Sequence, residues 1–224
     1  MLASGLAGSR GGWIAVPPML WALHHVLGRY WAQRFRLGLV GGLVVFSLVL
    51  YGLPATGVKA RVDKTVEEMS NLVAQPEEPS SLSIRVALWQ GALQLALERP
   101  VLGHGADGFA QGMERLNTRL ASDTDSKLSK FWHAHQDLLD AWSRRGILAG
   151  VGLLILYAIP LLYFARQNCR ARISVEAARA AGLMVPTGFI VFGLSYSFLA
   201  YPVGVAVFAT WVIIPWCLMP SRPS

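Results

Sequence analysis

The sequence predicts an all-α, polytopic transmembrane helical bundle of about five spans that carries one large, mostly helical loop, and three observations lead there. Hydrophobic residues make up 54% of the 224 and charged residues only 15%, against about 25% charged in soluble domains. Mean hydropathy is correspondingly positive, at +0.43. Five apolar segments, at 12–27, 37–53, 147–165, 182–201 and 203–219, each approach the roughly 20 residues needed to cross a bilayer. Charge is also segregated: twelve of the thirteen acidic residues fall within 54–145.

These boundaries divide the chain into three parts: two spans joined by a short basic loop (1–53), a long hydrophilic loop (54–145) and three further spans (146–224). The first span is short, contains Pro17 and Pro18 and ends in His24 and His25; membrane helices tolerate proline where neighbours satisfy the freed carbonyls. The last two spans meet around Tyr201-Pro202, which predicts a tight hairpin. Arg29, Arg34 and Arg36 lie between spans one and two. Arg166, Arg170, Arg172 and Arg179, against the single acid Glu176, lie between spans three and four. By the positive-inside rule both connections face the cytoplasm, as does the tail with Arg222, and residues 1–10 and 54–145 face the other side. The net charge of +7 therefore reads as topology rather than as a nucleic-acid surface. Residues 1–12 lack the basic and apolar regions of a signal peptide. Cys169 and Cys217 are too few and too separated for a disulfide framework or a zinc site.

A loop of this length carries function or its own structure. Residues 84–98 have helical periodicity, with Ile84, Leu88 and Leu95 on one stripe, Arg85 off it, and Arg99-Pro100 closing the helix. Gly103-His104-Gly105-Ala106-Asp107-Gly108 reads as a glycine-rich turn before a second helix at 109–120. These glycines follow no strand of a βαβ unit, so they suit a turn or close helix packing better than a nucleotide. Residues 75–81 read as an exposed segment, and 137–145 as an amphipathic stretch entering span three. Asp140 and Arg144, spaced i,i+4, are expected to pair on a helix surface.

His133, His135 and Gln136 stand where the loop returns to the membrane. An imidazole there serves either as an amphipathic interface anchor or as a general base toward a substrate hydroxyl. No cysteine or well-spaced carboxylate set accompanies His133 and His135, so no metal and no other cofactor is expected. Arg10, before span one on the loop's side, and Arg85 read either as snorkelling or solvated cations or as a clamp for a lipid diphosphate, which the five-donor guanidinium suits.

Together these residues resemble the bacterial O-antigen ligase and polymerase superfamily. The resemblance rests on Ser9-Arg10-Gly11-Gly12 opening a span, on Arg85 followed by Trp89 and Pro100-Val101-Leu102-Gly103-His104-Gly105, and on His133-Ala134-His135-Gln136. Its sharpest part is His135-Gln136 followed by the spaced pair Gly146 and Gly150, similar to that family's ligase motif. It covers most of the chain but corresponds to the C-terminal half of the family, whose members typically have about twelve spans.

The resemblance implies a C-type, metal-independent glycosyltransferase of the bacterial inner membrane, with its active site facing the periplasm. Such a ligase moves a glycan from undecaprenyl diphosphate to the lipid A–core of lipopolysaccharide with inversion. Arg10 and Arg85 would engage the diphosphate, and His135 by the motif, or His133 by proximity, would be the catalytic histidine. Rival readings are an O-antigen polymerase or a protein O-oligosaccharyltransferase of the same superfamily, a membrane transporter, and an inactive truncated remnant.

Overall fold

The computed structural model describes residues 11–74, 81–120, 133–167 and 172–220. The described residues form nine α-helices and no strand: α1 (Gly11–Leu27), α2 (Gln33–Gly52), α3 (Val58–Ala74), α4 (Ser81–Glu98), α5 (Gly105–Leu120), α6 (Asp137–Arg145), α7 (Ile147–Arg166), α8 (Ile173–Gly193) and α9 (Pro202–Cys217). The expected helical membrane architecture is present. Three helices, α2, α7 and α8, are long and apolar enough to cross a membrane by length and composition. At 17 and 16 residues, α1 and α9 rise only about 24–26 Å, against roughly 30 Å of hydrocarbon.

The chain differs from the sequence expectation at three places. The apolar run at 182–201 is not one span: its helix runs Ile173–Gly193 and is followed by a 3-10 turn, Phe198–Ala200. Serines at 195 and 197 interrupt the run, Ser195 turns its hydroxyl back onto the Phe192 carbonyl at 3.2 Å, and Pro202 biases Tyr201 to extended backbone (φ −108°, ψ 138°). At the other end α8 takes Glu176 and Arg179 inside, because they pair with one another at 3.6 Å. The sequence reading also passed over α3, whose apolar positions Val58, Val62, Val66 and Met69 recur at helical spacing. Finally, α5 begins at Gly105, so only Gly103 and His104 of the glycine-rich stretch form the turn.

Two cores organise the bundle and a third organises the loop. Ala22 and Val26 of α1 pack with Phe164 of α7 and Ala178, Ala180 and Leu183 of α8. Leu153 and Tyr157 of α7 pack with Phe208 of α9 beneath Ala141 of α6. In the loop, Leu88, Ala92 and Leu95 of α4 meet Phe109, Met113 and Leu116 of α5, with Ala134 inserted between them. No α2 residue is buried, which suits a helix that is apolar on all sides and faces lipid.

The turn after α4 is welded to the end of α6. Gly103 (φ 68°) and Gly146 (φ 82°) occupy left-handed backbone. A Cβ on Gly146 would lie 1.8 Å from the Val101 carbonyl oxygen, and one on Gly103 2.5 Å from the Arg144 backbone. This close approach lets His104 N–H donate to Ser143 O at 3.0 Å and Ile147 N–H to Pro100 O at 2.8 Å. The His104 ring donates to Leu95 O at 2.9 Å, so this histidine closes α4.

Candidate active site at the seam between loop and bundle

The histidine segment is placed by the side chains that flank it. Ala134 is fully buried in the α4–α5 core, and its N–H donates to Asp140 Oδ1 at 3.1 Å. Gln136 then caps α6 by accepting from Leu139 N–H. A glutamine in place of the usual short N-cap residue does the same work here: it satisfies an orphan amide of the first turn. Acids in the first turn of α6, Asp137 and Asp140, and Arg144 and Arg145 in the last, complement the helix dipole.

With Ala134 pinned inward, both histidines meet the turn between α8 and α9. The His133 ring lies 4.9 Å from that of Tyr201, and the His135 ring 5.6 Å from that of Tyr196. Tyr196 and Tyr201 stack on each other at 5.8 Å, 12° from parallel. His133 is held further by Arg144, whose Nη1 lies 2.7 Å from its Nδ1. A guanidinium only donates, so in this contact Nδ1 is the acceptor. Asp140 completes the group, 3.4 Å from His133 Nδ1 and 3.5 Å from Arg144. The expected surface pair of Asp140 and Arg144 is therefore not a surface pair: Asp140 is buried and shares Arg144 with a histidine.

His135 adopts left-handed backbone (φ 53°), rare for a residue with a side chain. Its pKa lies below the usual imidazole value. Partial burial is the main cause, the positive charges of Arg85 and His133 add to it, and Asp140 opposes it. Arg85 of α4 is thus in electrostatic reach of His135, which lies on the segment before α6. One turn after Arg85, the buried Trp89 indole N–H has no acceptor among the described residues. Arg10 lies outside the described residues. The helix that follows it, α1, runs antiparallel to α8: Arg29 pairs with Glu176 near the start of α8, and Met19 reaches the position a Cβ on Gly188 would take, at 3.1 Å. The Gly11 end of α1 is therefore at the Tyr196 end of α8.

Asp137 is the residue that sequence reasoning missed most completely. It is buried, and its Oδ2 accepts from the Tyr157 hydroxyl of α7 at 2.9 Å. Its Oδ1 accepts from Leu199 N–H at 3.2 Å. Burial pushes its carboxyl up to about 6, while those two donors hold it back. A cavity of about 270 Å³ is lined by Asp137, Asp140 and Arg145 together with Leu153, Leu156 and Val205. The only signal in the sequence was an acid immediately after His135-Gln136, read there as part of an amphipathic stretch.

A family model described as O-antigen ligase matches residues 2–156, a stretch that includes Arg10, Arg85, His133 and His135. An uncharacterized protein of Haemophilus influenzae is 23% identical over 205 residues, which is 91% of this chain and 51% of that protein. The chain thus spans about half the length of the curated relative it matches. With more than half of its residues under the family's pattern, and with helices fit to span a membrane, this chain belongs to the O-antigen ligase family.

Proposed function

We propose that the seam of α4, α6 and the α8–α9 turn is the catalytic face of an O-antigen ligase-type glycosyltransferase. It moves a glycan from undecaprenyl diphosphate to the lipid A–core of lipopolysaccharide, without a metal. The observation that carries the reading is the packing of the His133–His135 segment against Tyr196 and Tyr201, with Arg85 of α4 in electrostatic reach of His135, in a chain of this family. His135 is the base. Its pKa, held below the usual value, keeps the imidazole neutral and able to accept a proton near neutrality. His133 is the poorer candidate, because its accepting nitrogen already takes the Arg144 donor.

In this mechanism His135 takes the proton of the acceptor sugar hydroxyl as its oxygen attacks the anomeric carbon. The bond from that carbon to the diphosphate oxygen breaks on the opposite face, inverting the centre and releasing undecaprenyl diphosphate. Arg85, with Arg10, which precedes α1 in the sequence, stabilises the charge that develops on the leaving group. The Trp89 N–H one turn from Arg85, which has no acceptor among the described residues, is a further donor that an anionic oxygen would satisfy. Both substrates are lipids confined to one leaflet, which supplies proximity. We place the site on the periplasmic side of the inner membrane, with both basic connections in the cytoplasm.

The test is glycan transfer to lipid A–core in membranes carrying the protein. His135→Ala is expected to lower transfer by about 10²–10⁴-fold, the usual range for a lost general base. Transfer at the full rate by His135→Ala would refute the assignment. Glycan appearing on protein, or as longer lipid-linked polymer, would shift the acceptor to that of the sister activities.

A further inference from the structure

We infer that Asp137 is a positioning residue for His135: its carboxylate fastens the histidine segment to the tyrosine turn that packs against both imidazoles. The inference rests on reading His135 as the base. Three features separate Asp137 from an ordinary first-turn acid. The capping of α6 is already done by Gln136, so Asp137 is spared for other work. Its two bonds reach 20 and 62 residues along the chain, to α7 and to the 3-10 turn. Gly193 of α8 faces it with no side chain, since a Cβ there would lie 2.6 Å from Oδ2.

The geometry makes one carboxylate the meeting point of α6, α7, α8 and the α8–α9 turn. Leu199, which it holds, lies between Tyr196 and Tyr201, and these are the rings against His135 and His133. The anchor and the base are separated only by Gln136. Both oxygens are engaged by protein donors, Tyr157 and Leu199, so the carboxylate serves structure rather than substrate. Its effect on chemistry passes through the placement of His135. Misplacement by about 1 Å is enough to cost on the order of a hundredfold in rate.

Asp137→Ala removes both bonds, Asp137→Asn keeps an accepting oxygen, and Gly193→Ala pushes the carboxylate aside while leaving it in the chain. In full-length protein, kcat for transfer should fall by about a hundredfold in Asp137→Ala and comparably in Gly193→Ala. Asp137→Asn should recover much of the loss, and KM for the lipid-linked donor should hold, because Arg85 is untouched. In parallel, the proton contact between the His135 and Tyr196 rings, read by NMR in detergent, should vanish in Asp137→Ala and persist in Asp137→Asn. A role in stability alone would lower Tm while leaving kcat of the folded fraction unchanged. Unchanged kcat together with an intact His135–Tyr196 contact in Asp137→Ala overturns the inference. Should wild-type protein and His135→Ala transfer equally, the base reading fails on its own and the NMR contact alone decides the positioning.

Discussion

At the scale of single residues, the seam holds two ionisable groups displaced in opposite directions. His135 lies below the usual imidazole value, first through burial and then through Arg85 and His133. Its folded form therefore binds fewer protons than the unfolded chain, and its contribution to stability is lost as pH falls through that lowered value. Asp137 is the reverse. Its carboxyl is pushed up to about 6, so its contribution is complete below the ordinary carboxylate value and is lost as pH rises through about 6. The two side chains never favour the same extreme of pH. Removing the neighbouring cation should relax His135 upward. In Arg85→Ala the acid limb of the pH–rate profile should move to higher pH, and a histidine NMR titration should show the same direction for His135. A limb that stays or moves down would mean that Arg85 does not act on this imidazole.

The residues of this seam were unequally legible. His133, His135 and Arg85 were picked out because chemistry-bearing side chains in a hydrophilic loop invite a role, and because their order resembles a family pattern. Tyr196 and Tyr201 were not read as site residues, Tyr201 only as part of a hairpin, because they fall in a run whose hydropathy reads as lipid-facing. Ala134 escaped notice because alanine carries no chemical signal. Yet its methyl group, buried to 0% exposure, is what turns its two neighbours to a common side.

At the scale of elements, helix existence was plainer than helix limits. The positions of α2 and α7 follow from continuous apolar runs. The start of α8 does not, because it depends on Glu176 and Arg179 compensating each other, and pairing in space leaves little trace in hydropathy. This cluster joins three helices. Glu176 is fully buried, takes Arg29 from the 3-10 turn that follows α1, and sits one turn from Arg179. Arg179 in turn donates to Phe164 O at 2.8 Å and Ala165 O at 3.1 Å, closing the C-terminus of α7. Breaking a buried ion pair from one side costs about 3–5 kcal/mol, because the remaining charge is stranded. Glu176→Ala should destabilise the detergent-solubilised protein on that scale in thermal unfolding, and Glu176→Gln by less. Indifference to Glu176→Ala would show that Arg179 finds another acceptor.

At the scale of the whole molecule, membrane class was legible from composition, while the join between loop and bundle was not. It is made of backbone contacts at Gly103 and Gly146 and of the Asp137 bonds, all of which link distant parts of the chain. The sidedness proposed for the protein can be read chemically. With Cys169 and Cys217 replaced by serine, Gln111→Cys on α5 should react with an impermeant thiol reagent in intact cells whose outer membrane is permeabilised. Gln33→Cys at the start of α2 should react only after lysis. The opposite pattern would invert the topology and move the seam to the cytoplasmic face.

The short stretch from Ala134 to Asp137 has one further consequence. Its first residue is embedded in the α4–α5 core and its last is tied to α7 and the α8–α9 turn, so His135 is held between two attachments three residues apart. Arg85 belongs to a helix of the first attachment and the tyrosines to the turn of the second. A shift of either attachment relative to the other must therefore change the backbone at His135, the residue already in left-handed conformation.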